Sequence, residues 1–202
     1  IVDACIATGC TVLNLDGHAL EGYSQLAALT QVEVLMISYT NFADLAQIAP
    51  LTGLRELHIG STDVTDLAGL SAFPNLTLLH AQDLDVVDYR PIGQLKSLEE
   101  LALGHGTIPS LAFVQDLPAL RRLSLNGVYT LDLSGIRAHP RLEEIALSNS
   151  GSLDDDLTPL LTLPSLRAVT LDDYDNADWQ ALIERMRARG VVVTQVEIIP
   201  VC

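Results

Sequence analysis

Apolar residues recur along this chain on a fixed step. An apolar residue followed by others three and five places on gives Val32, Leu35, Ile37; Leu54, Leu57, Ile59; Leu76, Leu79, Ala81; Leu98, Leu101, Leu103; Leu120, Leu123, Leu125; Leu142, Ile145, Leu147; and Leu166, Val169, Leu171. The step is 22 residues five times and then 24. Stepping back once from Val32 lands on Cys10, with Leu13 and Leu15 completing the pattern. The alternation at the end of each set predicts a short strand, its apolar residues inward and the residues between them outward. A period of this length marks a stack of equivalent units, each unable to bury its apolar face alone.

The second half of each unit is as regular. Apolar residues three apart, such as Leu45, Ile48, Leu51; Leu67, Leu70, Phe73; and Leu111, Val114, Leu117, predict a short helical or 3₁₀ turn. Asp44, Asp66, Asp88, Ser110 and Asp132 stand just before these turns, where a side-chain oxygen takes the first free backbone N–H groups. The same register places His139 where other units carry Leu or Phe, so it reads as a core histidine bonded to backbone. Pro74, Pro118, Pro140 and Pro164 open units ahead of a strand, where a missing N–H does least harm.

The two ends depart from the repeat. Asp178 precedes Trp179, Leu182, Ile183 and Met186, a one-face apolar stripe predicting a helix that Gly190 stops, and Val191 to Ile199 reads as a final strand. Residues 1–9 offer only Ile1, Val2 and Ile6 as cover. The expected organisation is an incomplete N-terminal cap or the end of an upstream region over 1–9, about eight repeats over 10–177, and a helix-strand cap over 178–202. The opening Ile1 without an initiator Met reads as a piece of a longer protein.

The L-x-x-L-x-L frame with an apolar second half resembles the leucine-rich-repeat family over residues 10–171. The resemblance implies a right-handed α/β solenoid, with a parallel sheet on the concave face and helical or 3₁₀ turns on the convex face. One departure concerns the Asn or Cys that the family usually carries three places past the last strand leucine. Here stand His18, Thr40, Thr62, Leu84, Gly106, Val128, Ser150 and Tyr174, so the hydroxyls of Thr40, Thr62 and Ser150 are expected to replace part of that ladder.

Function in such an array belongs to the outward residues. One lane runs Asn14, Met36, His58, His80, Ala102, Ser124, Ala146, Thr170; its neighbour runs Val12, Val34, Glu56, Leu78, Glu100, Arg122, Glu144, Ala168. Val34, Met36, His58, Leu78 and His80 form an expected contact patch on the N-terminal half. The C-terminal half has a smooth floor of Ala102, Gly104, Ser124, Ala146 and Ser148 beside alternating charges at Glu99, Arg121, Glu143 and Arg167. The candidate protein-binding residues are Val34, Met36, Glu56, His58, Leu78, His80, Glu100, Arg122, Ser124 and Glu144.

Composition narrows the partner. With 11 basic and 26 acidic residues the net charge is -15, a field that repels nucleic acid and anionic lipid. Cys5, Cys10 and Cys202 are too few for a disulfide scaffold and suit a reducing compartment, with Cys10 read as a small buried hydrophobe. His58 and His80 with Glu56 nearby make at best a weak metal site, the run Asp154-Asp155-Asp156 reads as a solvated loop with Asp156 as a cap, and no phosphate-cradling loop or nucleophile elbow occurs. No catalysis, metal or cofactor is expected.

Asp-Leu before the turn, and 10 Arg against one Lys, look bacterial and GC-rich. A cytoplasmic array of this style resembles the C-terminal sensor of NLR-like signalling ATPases of the NACHT or STAND type, which implies a protein trigger, or other domains of the same polypeptide, as the partner in an innate-immunity role. The alternative resemblance is to internalins, secreted or surface adhesins with comparable 22-residue repeats that usually bring an N-terminal helical cap, a leader and a wall-sorting tail, features this sequence does not display.

Overall fold

The computed structural model describes residues 1–129, 132–149, 156–173 and 177–197. Each repeat contributes one strand: β1 Val12–Asn14, β2 Val34–Met36, β3 Glu56–His58, β4 Leu78–His80, β5 Glu100–Gly106, β6 Arg122–Val128, β7 Glu144–Leu147 and β8 Ala168–Asp172, with β9 Val192–Val196 closing the row. All pair in parallel, each with its sequence neighbour, in a single sheet ordered β1 to β9. Equivalent positions face each other: Leu35 stands between Leu13 and Leu57, and Leu101 between Leu79 and Leu123. A one-residue slip would turn every inward leucine outward, so the apolar frame itself fixes this register.

The frame is fully buried. Val32, Leu35, Ile37, Leu54, Leu57, Leu79, Leu101 and Leu120 are each 0% exposed, worth about 1.5 to 3 kcal/mol per aliphatic side chain against exposure. The turn residues Ile48, Leu51, Leu70, Phe73, Val114 and Leu117 meet them from the other side.

The turns are 3₁₀ helices, Leu45–Ile48 and Leu133–Ile136 among them, as the three-residue spacing predicts. Their caps form as expected: Asp44 Oδ1 accepts from Ala46 N at 2.8 Å, Asp66 from Ala68 N at 2.8 Å, Asp88 from Arg90 N at 3.0 Å, Ser110 Oγ from Ala112 N at 3.1 Å, and Asp132 and Asp156 from Ser134 N and Thr158 N at 2.8 Å. Adjacent turns stack closely enough that a Cβ on Gly135 would sit 2.4 Å from the Leu111 carbonyl carbon. His139 is buried as read, its Nε2 donating to Leu117 O at 3.1 Å while Nδ1 accepts from Arg141 N and Leu142 N. The donors around Nδ1 and the acceptor at Nε2 fix its neutral tautomer.

Three readings of the sequence are corrected. Thr40 and Thr62 donate to Ile37 O and Ile59 O, within their own repeats, rather than bridging to neighbours. Repeats are tied instead one residue past the strand frame: Asp16 Oδ1 accepts from Ser38 N at 2.7 Å, Asn126 Oδ1 from Ser148 N at 3.0 Å, and Asp172 Oδ1 from Asn149 N at 2.9 Å. Residues 1–9 are better cover than their apolar content implied. Val2–Thr8 form helix α1, Val2 and Cys5 are buried, and Gly9 stops it at φ 66° with its N–H on Cys5 O. Cys10 is not an isolated hydrophobe, because it is half-buried and disulfide-bonded to Cys5. A bridge between a helix end and the strand entry contradicts the reduced-thiol reading, which counted cysteines without placing the helix that brings these two together.

At the other end Ala177–Ala188 form helix α2 with Trp179, Leu182, Ile183 and Met186 buried. It leads into β9 as the apolar stripe predicts. Arg189 donates to Leu161 O and Leu163 O, fastening α2 to the last 3₁₀ turn. Ser150, Asp154, Asp155, Tyr174, Ile199 and Cys202 lie outside the described residues.

Candidate functional site on the concave sheet

Strand alternation places the candidate residues in two parallel lanes. Glu56 pairs in register with Leu78 and Val34, and His58 with Met36 and His80. Val34, Met36 and Leu78 are half-buried, less open than the exposed patch expected, because neighbours on both flanking strands cover their stems. Glu56, His58, His80, Glu100 and Ser124 are half-buried too, whereas Arg122 and Glu144 are exposed.

The two histidines touch. Their ring centroids are 4.5 Å apart with an interplanar angle of 79°, an edge-to-face arrangement. Burial and the neighbouring His80 push the His58 pKa below its usual value, against smaller opposing pulls from Asp16, Glu56 and Glu100. His80 Nε2 lies 3.3 Å from Glu100 Oε1, and Glu100 Oε2 accepts from Arg122 Nε at 2.6 Å. Burial works against the Glu100 carboxylate, yet its bonds to Arg122 and His80 hold its pKa below the usual range. His58 Nε2 is 4.0 Å from Glu56 Oε2. The row Glu56, His58, His80, Glu100, Arg122 thus links β3 to β6. Among the described residues no group of three or more His, Cys, Asp or Glu side chains is placed to hold a metal ion.

On the C-terminal half a cleft of about 200 Å³ lies over Leu101, Leu123, Ser124 and Ala146, walled by Glu100, Arg122 and Glu144. Of the expected smooth floor, Ser124 on β6 and Ala146 on β7 line it, and Ala102, Gly104 and Ser148 do not. The outer charges meet only in part as an alternating ladder: Glu143 receives Arg121 at 2.9 Å and Arg167 at 3.7 Å.

Sequence reasoning missed a second opening, at the ends of the strands. A polar trough of about 520 Å³ is lined by Asp16, Tyr39, His58, Asp83, His105 and Tyr129, among others. Its lining residues Tyr39, Ser61, Asp83 and His105 belong, with Gly17, Gly127 and Asn149, to a column in left-handed backbone with φ between 51° and 75°. They recur every 22 residues. Gly17, Tyr39, Ser61, Asp83 and Asn149 follow their strands, whereas His105 and Gly127 lie within the longer β5 and β6, and Gly17, Tyr39, Ser61, Asp83 and Gly127 donate their N–H to a carbonyl of the next repeat. Tyr39 and Tyr129 remain 72% and 69% exposed. The signal available was the Gly, Asn and Asp occupancy of that position, which favours positive φ and lies off the hydrophobic period.

Solved structures share this architecture. An internalin (inlF) from Listeria monocytogenes superposes with a TM-score of 0.77 at 21% identity, covering 93% of this chain and 54% of that one. Internalin C2 (inlC2) of the same species gives 0.65 at 24% identity over 80% of this chain and 77% of that one. A leucine-rich-repeat protein of Leptospira interrogans gives 0.69 at 17% identity over 96% of this chain and 50% of that one. The fold is the leucine-rich-repeat solenoid. The chain spans about half the length of the first and third of these proteins. No protein-family model and no curated protein sequence matches it.

In a solenoid of this kind the sheet is the concave face and the 3₁₀ turns the convex one, so both openings lie on or beside the concave side. Among the described residues no helix is long and apolar enough to cross a membrane.

Proposed function

We propose that the chain is a non-catalytic protein-binding domain that holds its ligand on the concave sheet and works in an oxidising compartment, in the manner of a secreted or surface internalin-like protein. The observation that carries the setting is the Cys5–Cys10 bridge, since disulfides persist where thiols are not kept reduced. Helix α1 adds to it. It buries Val2 and Cys5 at the open edge of the first repeat, the helical cap that the internalin resemblance brings and that the sequence reading did not find.

Binding rests on the contrast between frame and lanes. The inward positions hold aliphatic residues in repeat after repeat, while the outward lanes change from Val, Met and Leu to His, Glu, Arg and Ser. Half-buried Val34, Met36 and Leu78 around the His58–His80 pair supply an apolar centre, and Glu56, Glu100, Arg122 and Glu144 a polar surround, the anatomy of a protein contact. A cytoplasmic NACHT or STAND sensor would use the same face, but the bridged cysteines favour the extracytoplasmic setting.

Two measurements test the reading. Met36→Asp and Leu78→Asp, each soluble and folded by circular dichroism, should abolish partner capture in pull-downs; undiminished capture would refute the concave site. Thiol trapping in the native host should find Cys5 and Cys10 blocked before reduction. Free thiols at both would return the chain to a reducing compartment.

A further inference from the structure

The charge of the chain is unevenly spread. Residues 1–89 hold 11 of the 26 acidic residues and only one of the 11 basic ones, Arg55. Arg55 is occupied by Glu33 at 3.7 Å. Two of the acids, Asp16 and Asp83, line the trough, and Glu56 stands beside His58. Among the described residues none of these three carboxylates pairs with a Lys or Arg.

Both trough carboxylates are held in place. Asp16 uses Oδ1 on Ser38 N at 2.7 Å, and Asp83 uses Oδ2 on the Ser61 hydroxyl at 2.8 Å. Each therefore spends one oxygen on the fold and is fixed in position by it. Between them the wall is aromatic. Tyr39, His105 and Tyr129 are exposed, and His58 and His80 are half-buried. Burial and mutual contact keep His58 from charging readily, so this imidazole does not neutralise the carboxylates at neutral pH.

Fixed carboxylates beside exposed aromatic faces, in an opening of about 520 Å³, match one kind of side chain. A guanidinium or ammonium head donates hydrogen bonds to carboxylates, and its methylene stem and charge lie well against aromatic rings. We infer that the trough receives an Arg or Lys side chain of the partner, and that the partner's contacting segment is basic, with apolar residues reaching Met36 and Leu78. This inference rests on the concave-face reading and specifies the chemistry of what binds there. The excess of acidic over basic residues in 1–89, 11 against one, would also steer such a partner in and repel acidic ones.

The test is a selection with a defined probe. A phage-displayed library of random peptides is panned on the whole chain, and the enriched peptides are titrated against it while the His58, His80 and His105 resonances are followed by NMR. The expected result is an excess of Arg and Lys with apolar residues among the winners, shifts at those histidines, and affinity that falls with added salt. Asp16→Asn with Asp83→Asn keeps an amide oxygen at each hydrogen-bonding position and should weaken binding at least about tenfold, the loss of charge-assisted hydrogen bonds. If this pair loses its fold by circular dichroism, Asp83→Asn alone, at a carboxylate that takes an exposed hydrogen bond from the Ser61 hydroxyl, and the salt dependence carry the same comparison. Peptides that perturb the concave sheet but carry no basic excess, or bind the neutralised variant equally well, would overturn the inference and leave the concave-face reading standing. Winners that leave the concave sheet unperturbed would overturn both.

Discussion

Truncating Leu101 to Ala tests the stacking where it is least able to adjust. Leu101 is 0% exposed and stands in register between Leu79 and Leu123, all three inward. Removing three carbons forfeits about 2.4 kcal/mol of transfer free energy at about 0.8 kcal/mol per methylene. The space left behind cannot close, because the ladders to β4 and β6 hold the backbone on both sides. A residual void of roughly 40 to 60 Å³ adds about 1 to 1.5 kcal/mol, for a total near 3.5 kcal/mol. Urea denaturation should show a lower midpoint at unchanged slope, and the melting temperature should fall by roughly 7 to 14 °C for a chain of this size. The control is Ser124→Ala on the outward lane of β6, expected to change stability by less than about 0.5 kcal/mol. Equal, small losses at both positions would refute the assignment of inward and outward faces.

Other expectations follow from particular residues. His139 and His58 both have pKa values pushed below the ordinary 6.5, chiefly by burial. The unfolded chain therefore takes up these protons first, so stability is intact above that value and falls as pH drops through it. His139→Leu should flatten the fall measured by urea melts between about pH 6.5 and 5, and an unchanged slope would contradict the neutral buried imidazole. Breaking Cys5–Cys10 with Cys5→Ser should cost about 2 kcal/mol by loop entropy and speed amide exchange in α1 but not in β5; unaltered exchange in α1 would show that the bridge does not fasten the helix. Tyr39 sits at φ 60°, where Asn is tolerated better than Tyr. Tyr39→Asn should raise stability by about 0.5 to 1 kcal/mol while weakening capture of a basic peptide, and a loss of stability would show that the ring packs against the fold.

What the sequence displayed, and what it concealed, divides along a physical line. The buried frame was legible because burial repeats every 22 residues and a leucine at the wrong phase would face water. The caps were legible because only a few side chains accept from the first N–H groups of a turn. His139 was legible for the same reason as the frame: its register placed it among leucines. Helix α1 was missed because its two buried residues, Val2 and Cys5, make one turn of stripe, too little to show a period. The disulfide was missed with it, since Cys5 and Cys10 come together only once the helix ends at Gly9. The trough lined by Tyr39, Asp83, His105 and Tyr129 was missed because three of these residues sit in left-handed backbone, and hydrophobic periodicity carries no information about where such a bend aims a side chain. The lanes were placed correctly, yet how far Val34, Met36 and Leu78 sink between neighbouring strands required the sheet itself.

A protein ligand seated on the concave sheet should be reachable from its lanes and not from the turns. Photo-reactive residues introduced singly at Met36 and Leu78, and on the turn side at Ala46 and Ser71, test this in the native host whatever protein the ligand is. Met36 and Leu78 should cross-link the same protein species, and Ala46 and Ser71 should not. Cross-links to that species from the turn side, with none from the sheet, would contradict a concave site.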